Sequence, residues 1–160
     1  MMPKGVLLDT SFFLRLLNSD DPLCNNAEQY LKYFLDNEIE MWISTISIAE
    51  YCVYGKLNEL PLKHIRVLPF NIDHSQKAGE LAAILFSKRK EGEAIERLLI
   101  QNDVKLFAQC EVLKEIGAYI TSDSRSKKLY DILKSKASIG FDFINIVIPH
   151  TESFGILDLE

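Results

Sequence analysis

Short apolar runs alternate with longer stretches of helical period along this chain, the pattern of a parallel sheet built from strand–helix–strand units. Gly5-Val6-Leu7-Leu8 reads as a first strand over 5–9. Phe12, Phe13, Leu16 and Leu17 follow at helical spacing, with Thr10 and Ser11 as candidate caps. Asp20 or Asp21 then caps a second helix over 22–36, with Pro22 at its first position and Ala27, Tyr30, Leu31, Phe34 and Leu35 on one face. A second strand spans Ile39 to Ser44 and leads into a helix over 45–57 that contains Glu50. A third strand over 65–72 carries Pro69, which makes it an edge strand or an irregular connection. A helix from His74 to about 90 and a helical piece from Glu91 to Gln101 come next, and Asn102 is the expected cap of a helix over 103–117. A strand over 118–122, a helix over 126–136 and a last strand from Asn145 to Ile148 complete the order. The expected architecture is α/β, three-layer α/β/α around a central parallel sheet of about four to five strands, as one domain over 1–160.

A length of 160 residues with 48% apolar content suits one full-size core. No apolar run approaches the roughly 18 residues of a membrane span, and too few residues precede Asp9 for a signal-peptide apolar region. The expectation is a cytoplasmic protein with no membrane partner. Cys24, Cys52 and Cys110 include no Cys-x-x-Cys pair, which argues against a disulfide framework and a zinc site and favours buried reduced thiols. A net charge of −5 argues against gripping nucleic acid by bulk electrostatics, so any such role must be local. The local basic candidates are Lys88-Arg89-Lys90 and the group Arg125, Lys127, Lys128, Lys134 and Lys136, for which a solvated helix face is the simpler account.

Asp9 and Asp123 each sit just past an apolar strand, where open parallel sheets bring side chains to a common crevice. Glu50 and Asp103 come from two further elements. Each acid has an ordinary alternative. Asp9 and Asp123 suit helix caps, Ser47-x-x-Glu50 has capping-box spacing, and Asp103 after Asn102 favours the positive end of a helix.

Taken in order, these acids and their flanks resemble the PIN domain, a nuclease family. The matching stretches are Val6 to Ser11 with Asp9-Thr10-Ser11, Ser44 to Glu50, Asn102-Asp103 to Cys110, and Ile120-Thr121-Ser122-Asp123. The tail from Ile146 to Phe154, with Pro149 and Glu152, resembles the family's last strand and its ending, so the resemblance covers nearly the whole chain. It implies an acidic pocket that binds one or two Mg²⁺ or Mn²⁺ ions and cuts RNA phosphodiesters. Carboxylates without His or Cys offer the hard oxygen ligands such ions take, and His64, His74 and His150 lie outside every motif.

Carried over position by position, the resemblance makes Asp9, Asp103 and Asp123 the main metal ligands. Glu50 binds metal directly or through water, or positions the attacking water. Thr121 orients Asp123, and Thr10 or Ser11 gives similar support. Ser122 stands where the family often has Arg, with Arg125 the replacement from the next turn and Lys127 and Lys128 as further substrate contacts. Asp142, between Phe141 and Phe143, is either an additional acid or a loop or strand-edge residue.

Small single-domain relatives look like VapC-type toxins, ribonucleases held inactive by a cognate antitoxin. The resemblance therefore implies a metal-dependent endoribonuclease, the toxin of a type II toxin–antitoxin pair, with RNA and an antitoxin as partners and a homodimeric assembly. The helix over 22–36, with Tyr30, Tyr33 and Phe34, is a candidate dimer or partner surface if it does not pack into the core. The alternatives are a catalytically silent PIN-like module that binds RNA or protein, and a haloacid-dehalogenase-like phosphatase. The phosphatase lacks its usual general acid, because Ser11 occupies the second position past Asp9.

Overall fold

The structure is a computed structural model that describes residues 2–156. Five parallel strands form one sheet in the order β3-β2-β1-β4-β5: β1 (Gly5–Leu8), β2 (Glu40–Ser44), β3 (Arg66–Leu68), β4 (Ile116–Thr121) and β5 (Asp142–Asn145). Central β1 is apolar and buried along its whole length, as a strand covered on both faces must be. A Cβ on Gly5 would lie 3.0 Å from the Glu115 carbonyl oxygen, so only glycine lets the strand begin this close to its neighbours.

The pleat sends alternate residues to opposite faces. Val6, Leu8, Met41, Ile43, Ala118 and Ile120 meet α1 (Thr10–Leu16), α2 (Cys24–Asp36), α3 (Thr45–Tyr51) and α7 (His150–Ser153) on one face. Leu7 and Tyr119 meet α4 (Ile72–Lys90), α5 (Arg97–Val112) and α6 (Arg125–Lys136) on the other. This is the expected three-layer α/β/α architecture. The chain leaves β1 in one direction through α1 and α2, then returns from β3 to β4 across the opposite face through α4 and α5. Right-handed crossovers require that change of face when the strand order reverses.

Several boundaries move from their sequence positions. Pro69 follows the edge strand β3 directly and shortens it, while α3 ends at Tyr51 and is followed by a 3-10 turn over Leu57–Glu59. Helix α2 starts at Cys24, after Pro22, although Asp21 Oδ1 still accepts the Leu23 N–H at 2.8 Å. Asn102 caps nothing: α5 runs unbroken from Arg97 to Val112, and the expected helical piece over 91–101 is a loop until that start. The last strand is Asp142–Asn145 rather than 145–148, and Asp142 takes its first, exposed position. Asn145 Oδ1 accepts the Val147 N–H at 3.0 Å and turns the chain away, leaving Val147 and Ile148 largely exposed.

Tyr30 and Phe34 are fully buried, and Tyr33 stacks on Phe154 with ring centroids 4.6 Å apart. The aromatic face of α2 is therefore core and not a dimer surface, and Leu35, expected inside, is 44% exposed. Cys24 and Cys110 are buried free thiols, as expected, whereas Cys52 is exposed. None of the described helices is long and apolar enough to cross a membrane.

Helix α4 starts on a reciprocal cap: Asn71 Oδ1 accepts the His74 N–H at 3.0 Å, and His74 Nδ1 accepts the Asn71 N–H at 3.1 Å. Burial holds the His74 imidazole below its ordinary pKa, which keeps Nδ1 available as an acceptor. Asn71→Ala is expected to destabilise the protein by about 1 kcal/mol, lowering its melting temperature by about 2–4 °C. An unchanged melt would show that the cap contributes nothing.

Candidate functional site

β1 and β4 are neighbours from which the strand order runs outward in opposite directions, so their carboxyl ends border a topological switch point. Asp9 follows β1, and its backbone N–H donates to the Ile120 carbonyl at 2.9 Å, extending the ladder to the sheet edge. Asp9 occupies the cap position of α1, but its carboxylate makes no capping bond. Its Oδ2 accepts instead from Ser11 Oγ at 2.8 Å and Thr121 Oγ1 at 2.9 Å. Burial pushes the Asp9 carboxyl above its ordinary range, against the lowering effect of these two hydroxyls.

Asp103 projects from the interior of α5 rather than from its start. Its Oδ2 is buried and has no hydrogen-bond partner among the described residues. Burial first, then the charges of Asp9, Asp123 and Glu50, push its carboxyl up to about 7, with Arg125 acting in the opposite sense. The charges of three acids from other elements thus bear on Asp103.

Asp123, just past β4, is clamped by Arg125. Nε lies 3.1 Å from both carboxylate oxygens, NH2 lies 2.6 Å from Oδ2, and the Arg125 N–H donates to Oδ1 at 2.9 Å. The Arg125 hydrogen bonds hold Asp123 below the usual carboxylate range, and the charge of Arg15 adds to the effect. Glu50 is exposed on α3, where its Oε2 accepts from Thr10 Oγ1 at 2.6 Å. It forms no capping box, because the cap of α3 is Ser44, whose Oγ accepts the Ile46 N–H at 3.0 Å.

Among the described residues, no three acidic, His or Cys side chains stand ready-made as a cation cage. Asp123 is held by Arg125 and Glu50 by Thr10, whereas Asp103 Oδ2 has no donor among the described residues. The donor chemistry nonetheless suits a hard cation: the charges of Asp9, Asp123 and Glu50 bear on Asp103, which keeps a buried oxygen without a donor.

The supporting hydroxyls are arranged differently from the sequence expectation. Thr121 holds the carboxylate of Asp9, not that of Asp123, and reaches Asp123 only by accepting its backbone N–H at 3.0 Å. Ser11 Oγ lies 3.1 Å from Thr121 Oγ1 and accepts the Ser122 N–H at 2.8 Å, tying α1 to the end of β4.

The expected basic contacts are largely occupied by neighbours. Arg125 is committed to Asp123, Lys127 pairs with Asp131, and Lys128 Nζ lies 3.0 Å from the Ala94 carbonyl and 3.4 Å from Glu93. Two residues at the site were not picked out from sequence. The buried Tyr119 hydroxyl is pushed well above its ordinary pKa by burial, then by the charges of Asp9 and Asp103. Arg15 Nε donates to Ser122 Oγ at 3.3 Å. The available signal for Arg15 was its spacing: it lies four residues past Ser11 on α1, hence on the same helix face.

No protein-family model and no curated protein matches this sequence. Solved structures do. VapBC2 from Rickettsia felis bound to a DNA fragment from its promoter matches with a TM-score of 0.61 at 17% identity, over 88% of this chain and 97% of that one. FitAcB from Neisseria gonorrhoeae matches with a TM-score of 0.61 at 15% identity, over 89% and 98%. VapC20 from Mycobacterium tuberculosis, a sarcin–ricin loop cleaving toxin, gives 0.51 at 18%, over 78% and 94%. At these identities the likeness establishes the fold, which is PIN-like.

Proposed function

We propose that this protein is a metal-dependent endoribonuclease, the toxin of a type II toxin–antitoxin pair, in which Asp9, Glu50, Asp103 and Asp123 hold one or two Mg²⁺ or Mn²⁺ ions. The observation that carries this reading is Asp103, whose buried carboxylate oxygen has no donor while the charges of three other acids bear on it. Such an arrangement disfavours the charged form unless a cation accompanies it. When bound, the ion would attract the scissile phosphate, activate a water and stabilise the leaving oxygen. The chain's own part is to aim the oxygens. Ser11 and Thr121 fix Asp9, Thr10 fixes Glu50, and burial keeps competing water from Asp103. Solved structures of the same fold support the reading, since one is of VapC20, a sarcin–ricin loop cleaving toxin, and another is of VapBC2 bound to a promoter DNA fragment.

An antitoxin partner has a physical counterpart beside the acids. Leu14, Leu17 and Tyr54 are 53%, 42% and 99% exposed and line a groove shared with Thr10 and Glu50. A partner segment seated there would cover apolar surface and reach the acids together. The phosphatase alternative needs an acid two positions past Asp9, and Ser11 there gives its hydroxyl to Asp9.

The test is incubation of the purified protein with single-stranded and structured RNA, with Mn²⁺, with Mg²⁺ and with chelator. Cleavage is expected with either ion and is expected to vanish on chelation. Cleavage that persists in chelator sinks the metal mechanism. RNA binding unaffected by chelator, with no cleavage under any condition, supports the silent binding module instead.

A further inference from the structure

The acid pocket needs a positive group for an RNA phosphate, and the residues expected to supply it are engaged elsewhere. Arg125 gives Nε and Nη2 to Asp123, so its planar fork is turned to one of the four acids themselves. Lys127 and Lys128 are paired with Asp131 and Glu93. Arg15 is also paired with a carboxylate, but with Asp21, which lies outside the four acids, so the pairing leaves the pocket's own carboxylates untouched. Its NH1 donates to Asp21 Oδ2 at 2.6 Å and its Nε to Ser122 Oγ at 3.3 Å, while its NH2 makes no hydrogen bond among the described residues. The side chain stays 41% exposed.

Two elements hold it there. Asp21, only 9% exposed, is itself fixed by accepting the Leu23 N–H at 2.8 Å, so the Asp20-Asp21-Pro22 turn anchors the guanidinium as well as preceding α2. Ser122 is held by its N–H to Ser11 Oγ and stands beside Asp123. Ser122 precedes Asp123 in the chain, so its contact with Arg15 Nε sets the guanidinium at the edge of the acids.

We infer that Arg15 is a phosphate-binding residue of this site, kept in place by Asp21 as a positioning residue, and that it contacts a phosphodiester oxygen of RNA. A guanidinium with free donors in a fixed plane suits a phosphate better than a mobile ammonium does. The inference rests on the ribonuclease reading for the identity of the ligand, but its physical content is a phosphate contact that exists with or without catalysis.

The experiment measures binding of a labelled single-stranded RNA oligonucleotide in chelator at stepped salt concentrations, for wild type, Arg15→Ala, Arg15→Lys and Asp21→Asn. Loss of one phosphate contact makes the slope of log affinity against log salt shallower by about 0.7. Arg15→Ala is expected to show that change and to bind about tenfold more weakly. Arg15→Lys keeps the charge, so its slope stays near wild type while its affinity falls. Asp21→Asn also keeps the wild-type slope, with weaker binding because the anchor is lost. A merely structural role would move melting temperatures and leave the slopes equal.

Equal slopes and affinities for wild type and Arg15→Ala overturn the inference, as does a wild type that binds no RNA. If Arg15→Ala fails to fold, the Arg15→Lys and Asp21→Asn pair decides, since unchanged affinity in both also overturns it. A wild type that binds with the predicted Arg15 dependence but cleaves nothing in Mn²⁺ would end the ribonuclease reading and leave the phosphate contact standing.

Discussion

Asp103→Asn should make the metal-free protein more stable at pH 8 while sharply reducing RNA cleavage. The carboxyl of Asp103 is pushed from an ordinary 3.8 up to about 7, first by burial and then by Asp9, Asp123 and Glu50. Between those two values the folded chain holds a proton that the unfolded chain has released, so stability falls as pH rises. The loss is complete above about pH 7 and absent below about pH 4. Its size is on the order of 3 kcal/mol, because each pH interval of one between the two values contributes about 1.4 kcal/mol before allowance for residual solvent. Asn keeps the shape and removes the charge. Melting in chelator is therefore expected to rise by about 5–10 °C over wild type at pH 8, with no difference at pH 4.

Added Mn²⁺ is expected to raise the wild-type melting temperature more than that of Asp103→Asn, because the variant lacks one carboxylate of the proposed ligand set. Cleavage by the variant should fall by about 10²–10³-fold. A variant that melts with wild type at pH 8 would show that Asp103 is not strained by its neighbours, and one that cleaves normally would show that it is no part of the chemistry.

Thr121→Val should lower stability and activity together. The Thr121 hydroxyl is buried, donates to Asp9 Oδ2 and accepts the Asp123 N–H, so one side chain supports two of the acids. Valine fills nearly the same space but leaves that N–H without an acceptor and Asp9 with one hydroxyl fewer. Leaving such a group unpaired costs about 2 kcal/mol. Loss of a bond that orients a metal ligand reduces activity by about 10–100-fold. Thr121→Ser keeps the hydroxyl and should recover most of both losses. Recovery in the serine variant separates loss of the hydrogen bond from loss of packing, and failure of Ser to recover activity would rule out the orienting role.

The order of strands and helices was legible because each element carries its own period. Val6, Leu7 and Leu8 read as a buried strand without reference to any other segment, and Ala27, Tyr30, Leu31 and Phe34 read as one helix face. The placement of Asp9 and Asp123 past strand ends followed from the same local signals. The boundaries misread were those where one local signal imitates another. Asn102 looks like a cap but lies in the unbroken α5, and the apolar run Ile146 to Ile148 looks like a strand although β4 pairs with Asp142–Asn145.

What the sequence by itself determined, then, was the layered parallel architecture and the strand-end placement of Asp9 and Asp123, because both follow from periodicity within single elements. Tertiary structure alone decided how the four acids are held. Thr121 orients Asp9 across 112 positions of sequence, Thr10 reaches Glu50 across 40, and Arg15 meets Ser122 across 107. Hydrogen bonds of a few ångströms between such distant residues depend on how the strands and helices are placed against one another, and no local pattern encodes that placement. The same packing commits Arg125, Lys127 and Lys128 to neighbouring groups and leaves Arg15, anchored by Asp21, with a free donor at the edge of the acids.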